Sequence, residues 1–437
     1  MKMTVITKYP YDKEYIEQYS QDKNEPEWMK AFRLQALEQA NVLELPKPDK
    51  TRIHRWNFSQ FKHLAEGEVI SSLNELPEEL KDHLDIDDAP ENLIIQRNQT
   101  VAYASISKEL QDQGVIFTDI FTAFEKHEEL VKKYYMKDAV VVDEHRLTAL
   151  HAALMNGGVF VYVPKGVQVE VPLQTIFWQE DHEVALFNHV LVVAEENSSL
   201  TYVENYISNN KDEETVSNVV AEVFAHDNAH IAFGGVDNFA AGTTSYINRR
   251  GVAGKDAVID WALGQMNDGN TVSENVTHLD GDRSSVNAKT VTVGRGKQVQ
   301  NFTAVTHHAG LDTDGHILQR GVMKDNTSAI FNAIGKIDSG ATRANAVQES
   351  RILMLSGKAR GDANPILLID EDDVTAGHAA SVGRIDEMQM YYLMSRGISK
   401  QEAERLIIYG FLEPVVAQLP IEAVKKQLRH LIEGKLS

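Results

Sequence analysis

The chain contains no cysteine in 437 residues. Disulfides are therefore excluded, which fits a reducing compartment. An ordinary iron–sulfur site built from this chain alone is excluded too, because such clusters are normally held by several thiolates. Positive charge is also scarce: 43 Lys and Arg stand against 64 Asp and Glu, a formal net charge of −21. Nucleic acids and anionic membranes are bound by clustered Lys and Arg, so this balance argues against both. No apolar run approaches the roughly 20 residues of a membrane-spanning helix. The first twenty residues lack a signal-type apolar stretch, so a cytoplasmic location is expected. Nucleotide chemistry finds no support either. Gly-Lys occurs at Gly254, Gly296, Gly335, Gly357 and Gly434, but never within the spacing of a phosphate loop. There is no Gly-x-Ser-x-Gly elbow and no His-Glu-x-x-His helix.

What is present falls into regimes. Residues 1–90 read as a polar helical region, with a helix from Glu27 to Ala40 placing Trp28, Phe32 and Ala36 on one face. Two prolines, Pro46 and Pro48, break it. Trp28 and Trp56 are expected in the core. Residues 91–158 mix types: strands at 93–95 and 101–103, then helices at 120–137 and 146–155, the last ended by Gly157-Gly158. From Val159 the strands are short, and Asn, Asp and Gly punctuate them.

A loose unit recurs in that third regime. It reads NSSLTY from Asn197, NAHIAF from Asn228, DAVIDW from Asp256 and RSSVNA from Arg283, at intervals of 31, 28 and 27 residues. A further copy, NTSAIF from Asn326, lies 43 residues on, so the period slips or an insertion intervenes. Strand repeats of this length suggest a solenoid, in which one coil cannot bury its apolar face but stacked coils can. A large β-sandwich with accidental spacing is the alternative reading.

Residues 364–414 join the strand regime to a helical end. A last apolar strand, Ile366 to Ile369, is followed by the acids Asp370-Glu371-Asp372-Asp373 and a small-residue loop, Ala376-Gly377-His378-Ala379-Ala380. A helix carrying Met388, Tyr391, Tyr392 and Met394 follows, with Gly397 placed as its C′ residue. Ser399 to Glu402 reads as a capping box. A final helix sets Ile421, Val424, Leu428, Leu431 and Ile432 on one side. A neutral imidazole is a competent iron or zinc ligand, so His378 is a candidate, although a lone histidine also fits a structural role. The four acids read as a solvated turn, because neighbours in an extended chain point to opposite sides. His307-His308 is unsuited to chelation for the same reason. His226 and His230 are not on a helix, so their spacing makes no helical metal pair.

ARGDANP at 359–365, DDVTAGHAASVGRID at 372–386, and YYLMSRG with EAERLIIYGFLEP across 391–414 resemble the SufB/SufD family of iron–sulfur cluster assembly scaffolds, on its SufD side. The likeness extends to the N-terminal order Pro-x-Trp, Phe-Arg-x-x-Ala, Leu-Pro-x-Pro, Trp. It implies a right-handed parallel β-helix core at 159–370. A helical N-terminal domain would occupy 1–90, a mixed lead-in 91–158, and a SufC-binding helical domain 371–437. It further implies a non-catalytic scaffold that pairs with SufB, docks the ATPase SufC and receives sulfur from a cysteine desulfurase and carrier system. In isolation, a homodimer is the counterpart of that pairing.

Within this resemblance His378 takes the place of a histidine that faces SufB and serves nascent cluster assembly. The transient cluster would sit at the SufB–SufD interface rather than on this chain alone. Some SufD relatives carry Cys where this chain has Ala376, and SufB carries a His-Glu pair where Ala379 follows His378 here. Leu406, Ile407, Phe411, Val424 and Leu428 are the candidates for SufC contact, since a few short helices cannot bury them all. The competing reading is a β-helix carbohydrate-active lyase or hydrolase, which would need converging carboxylates and a basic residue on one face.

Overall fold

The computed structural model describes residues 11–65, 67–77, 80, 91–181, 183–208, 214–417 and 422–436. Two sheets run the length of the molecule. One contains, in spatial order, β2 (Thr100–Ser105), β1 (Leu93–Arg97), β5 (Leu173–Gln179), β7 (Ser199–Ser208), β9 (His230–Asn238), β11 (Val258–Gln265), β13 (Ser285–Gly294), β15 (Asp314–Met323), β17 (Asn345–Met354) and β19 (Thr375–Arg384). The other contains β3 (Ile116–Asp119), β4 (Gly157–Val163), β6 (Leu186–Ala194), β8 (Thr215–Ala225), β10 (Thr243–Ala253), β12 (Thr271–Leu279), β14 (Val299–His308), β16 (Ser328–Ile337) and β18 (Arg360–Ile369). From β4 onward, successive strands alternate between sheets, and from β6 onward each pairs in parallel with the strand two before it. This is a parallel β-helix of about eight turns.

The repeat in the sequence has a backbone cause. Asn197, Asn228, Asp256 and Arg283 all sit in the left-handed region, with φ of 59°, 56°, 57° and 59°. The ladder continues through Asp312 and Arg343, at φ of 56° and 60°. Each of these amides donates to a turn carbonyl of the next coil, as Asn228 N–H does to Lys255 O at 2.8 Å. Asn and Asp tolerate this conformation because their short polar side chains bond locally. Arg283 and Arg343 instead reach back one coil to Asp256 and Asp312, at 2.6 and 2.5 Å. The copy placed at Asn326 is off this ladder. It lies beside Asp325, φ 51°, in the turn that leads into β16 of the other sheet. The 43-residue interval therefore joined two different corners of the coil, and the period does not slip.

The interior is filled by in-register stacking. Tyr202, Phe233 and Trp261 follow one another along the axis with ring centroids 5.2 and 4.8 Å apart. Among them lies a buried ion triad, Arg249 with Glu204 at 2.8 Å and Asp237 at 2.7 Å, all fully enclosed.

The N-terminal helices α1 (Lys13–Asp22) and α2 (Glu27–Val42) pack on the coil. With them lie α3 (Lys108–Asp112), α4 (Ile120–Lys126), α5 (Glu128–Tyr134) and α6 (Arg146–Leu154). The single helix expected at 120–137 is broken at His127, which caps both α4 and α5 at φ −132°. Met29, Ala36, Leu150 and Phe124 share one apolar cluster with Phe187, Leu191, Val220 and Phe224 of the second sheet. Trp28 lies against Phe124 and Tyr135, a packing role as expected. Gly157-Gly158 does more than end α6, since β4 begins there. A Cβ on Gly158, φ 138°, would fall 1.9 Å from the carbonyl oxygen of His189, so only glycine admits that approach.

At the other end come α7 (Glu387–Ser395), α8 (Lys400–Val416) and α9 (Glu422–Leu436). Ser399 caps α8 by accepting the Glu402 amide at 3.2 Å. α8 and α9 fold back over the outer face of the first sheet: Ile408, Leu412, Val415, Val424, Leu428 and Ile432 bury against Val236, Ala262, Val291 and Val322. Gly264 makes the notch for Leu428, whose Cδ2 would lie 2.0 Å from any Cβ there. Leu419 and Pro420, expected as the break before the last helix, and Ile421, expected on its apolar side, lie outside the described residues.

Candidate functional site: the open end of the β-helix

The two ends of the coil differ. At the first end β2 and β3 turn antiparallel to their neighbours. The chain then covers β2, with Ile70 N–H donating to Ala102 O at 3.0 Å. At the last end β18 and β19 are the outermost strands of their sheets, with no described strand beyond them. Neither contains a buried residue, unlike the strands beneath. Unpaired N–H and C=O groups on such edges are a template for another chain's strand.

His378 lies on this edge. The segment expected as a small-residue loop is strand β19, so the helix continues through residue 384. Small residues suit it, because its inward positions face the coil's end rather than a deep core. His378 is in register with Gln348 of β17, which is buried and donates to Ile366 O at 2.8 Å. Register therefore puts the imidazole on the inward row at the mouth, beside Ala376, Ala380 and Val382. It is exposed, and among the described residues it has no hydrogen bond or ion pair. Inward positions of β18 complete the mouth: Leu367 lies over Gly335, and Val382 over Gly361. Leu368, Ile369 and Val382 are 50%, 39% and 39% exposed, a large apolar area for a solvent-facing rim.

The acids beside it are occupied as a turn. Glu371 accepts the Gly340 amide at 2.8 Å and the Asp372 amide at 2.9 Å, and these bonds hold its carboxyl below the usual range. The backbone carbonyl of Asp373 closes the left-handed ladder by accepting from Arg343.

Of the five apolar candidates on the C-terminal helices, only part is open. Val424 and Leu428 are fully buried, because the outer face of the first sheet supplies the cover that the helices lack on their own. Phe411 is partly buried beneath the guanidinium of Arg320, 5.3 Å from its ring. Leu406 is exposed, and Ile407 lines an apolar hollow with Met388, Tyr392 and Leu393. The sequence reading missed the larger contribution, from α7: Met388, Tyr391 and Tyr392 are 71%, 69% and 57% exposed. Mixed i+3 and i+4 spacing marked these residues as helical, and only the tertiary fold reveals that they stay exposed. Among the described residues, eight of the fourteen large exposed hydrophobics lie between residues 368 and 406, so the apolar surface concentrates at this end.

Three other constellations do not make sites. Glu144, His145 and Glu274 come together, but Arg250 already bridges the two acids at 2.7 and 3.3 Å. His145 Nδ1 caps α6 by accepting from Leu147 and Thr148, and Nε2 faces Tyr246 Oη at 2.8 Å. Neither nitrogen is left for a metal. His226 bonds Tyr134 and His230 bonds Asp260, each at 2.8 Å, so the two histidines work apart. A polar cleft of about 640 Å³ at Arg55, Trp56, Asn57, Thr244 and Asn270 contains one carboxylate, Glu214, where a glycosidase needs a pair.

Fold and site together define a parallel β-helix protein with helical ends and one open, apolar, histidine-bearing edge. The SufBD core domain of the SUF system for FeS cluster assembly matches residues 177–411, and the SufBD N-terminal region matches residues 8–175. The chain belongs to the SufBD family. It is 60% identical over 436 residues to the iron–sulfur cluster assembly protein SufD of Bacillus subtilis (strain 168), covering 99% of this chain and 100% of that one. It is 28% and 29% identical over 433 residues to SufBD family proteins of Staphylococcus saprophyticus and Staphylococcus aureus (strain USA300), covering 96% of this chain and 93% of each relative. Among the described residues, no helix is long and apolar enough to cross a membrane.

Proposed function

We propose that this chain is the D-type scaffold subunit of a cytoplasmic iron–sulfur cluster assembly complex and performs no turnover of its own. The observation that carries the reading is the open edge: β18 and β19, each paired on its inner side only among the described strands, with His378 of β19 on the inward row. A SufB subunit pairs there by strand addition, in a junction where both chains' mouths face one another. The chain has no cysteine, so SufB supplies the thiolates and His378 offers an imidazole to the nascent cluster, which is cargo and not a resident cofactor. Sulfur comes from a cysteine desulfurase and its carrier. SufC, the ATPase, docks on Met388, Tyr391, Tyr392, Leu406 and Ile407, and closure of a SufC pair remodels the junction. A helical docking domain from about residue 385 onward, anchored on the coil through α8 and α9, follows from this reading. Without SufB, the same edge would join a second copy.

Anaerobic co-expression with SufB and SufC tests the proposal. A stable complex of all three chains, with the visible absorption of an assembled cluster, is expected. Elution of this chain alone under those conditions would contradict it.

A further inference from the structure

The outer face of the second sheet brings together two histidines that the function above does not use. In-register pairing stacks His278 of β12, His307 of β14 and Lys336 of β16. His278 Nδ1 and His307 Nδ1 lie 3.1 Å apart. Two nitrogens bound to one zinc-like ion at roughly 2.0–2.1 Å are separated by roughly 2.9–3.4 Å. His307 Nε2 is 2.7 Å from Asp338 Oδ2. A carboxylate on the remote nitrogen fixes the proton there and leaves Nδ1 free to ligate, the arrangement that orients metal-binding histidines. His308, next in sequence, points inward to Thr313 at 2.8 Å and takes no part.

We propose that His278 and His307 form a chelating pair for a borderline first-row divalent ion such as Zn²⁺, Co²⁺ or Fe²⁺, with water completing the shell. The ligand class follows from the donors: two neutral imidazoles suit these ions, and the hard ions Mg²⁺ and Ca²⁺ prefer oxygen. Partial burial holds His278 toward its neutral, ligating form, with His307, Arg250 and Lys336 adding to that effect and Asp280 opposing it. Asp338 is the positioning residue. Lys336 opposes the ion, because its ammonium sits 3.2 Å from His307 Nε2 and 3.0 Å from Asp338. The chain's net charge of −21 raises the local concentration of any divalent cation. The pair lies two strands in from the open edge of the sheet, on the outward face, apart from His378.

The test is an anaerobic titration of the tag-free, full-length chain with Co²⁺, followed by its visible spectrum, with Zn²⁺ and Mg²⁺ as competitors. The site predicts displacement by Zn²⁺ and not by Mg²⁺. His278→Ala and His307→Ala should each weaken Co²⁺ binding by about tenfold or more, and Asp338→Asn by about tenfold. Lys336→Gln should tighten it, an effect of opposite sign that a folding defect cannot imitate. An unaltered isotherm in the double variant His278→Ala/His307→Ala overturns the proposal, as does absence of binding by the wild-type chain at millimolar Co²⁺.

Discussion

Leu428→Ala tests whether the C-terminal helices are held by the notch at Gly264. Leu428 is fully buried, its Cδ2 filling the space where a Cβ on Gly264 would stand. Truncation to alanine removes that contact and leaves a void on the sheet face, at a cost of about 3 kcal/mol within a range of 2–5. Gly264→Ala overfills the same notch, because the new Cβ would meet Leu428 at 2.0 Å, and costs about 1–3 kcal/mol. The two changes are complementary in volume. In the double variant the added methyl occupies part of the void, so its loss should be smaller than the sum of the two single losses. Hydrogen exchange of the α9 amides reads this locally. Leu428→Ala should speed their exchange roughly a hundredfold, since about 1.4 kcal/mol is tenfold. A double variant whose loss equals the sum of the single losses, or exchange in α9 that none of the three changes affects, would refute the notch argument.

Other outcomes follow from the same physics. Arg249→Met leaves Glu204 and Asp237 buried without their cation and should cost about 3–5 kcal/mol in thermal or urea unfolding. Burial pushes the Glu222 carboxyl up to about 8 from an ordinary value of 4.5, despite amide bonds from Met136 and Val140. The folded state then keeps a proton that the unfolded chain releases, so this group's stabilisation is lost as pH rises from about 4.5 to about 8. Glu222→Gln should flatten that part of the stability profile, and an unchanged profile would contradict the assignment. Tyr392→Glu or Leu406→Glu, both at exposed positions, should abolish SufC pull-down while shifting the melting free energy by no more than about 0.5 kcal/mol. Retained pull-down would move the docking surface elsewhere.

The coil was legible in the sequence because its corners demand a left-handed residue, and Asn197, Asn228 and Asp256 answer that demand at near-constant spacing. Arg283 at the same corner was still read as part of the repeat, but Arg343 was not, since arginine carries no turn signal and its partner Asp312 lies one coil away. Glycine-rich, alanine-rich sequence at 376–380 read as a loop because small residues are also turn formers. Only pairing with β17 distinguishes a thin edge strand from a loop. The apolar stripe on α9 was visible, but its destination was not, because the receiving notch at Gly264 is more than 150 residues earlier in the chain. His378 was found through neighbouring motifs. Its place on the inward row at the mouth came from register alone.

The central claim is that the open edge is an assembly junction to which His378 contributes a ligand. Iron and acid-labile sulfide, measured per assembled complex with SufB and SufC, test it most directly in wild type and His378→Ala. At an exposed position without side-chain partners among the described residues, the substitution should change stability by about 0.5 kcal/mol or less. The account predicts an intact complex of unchanged melting temperature that has lost its iron and sulfide. Normal iron and sulfide in that variant complex, or failure of the complex to assemble, would contradict it.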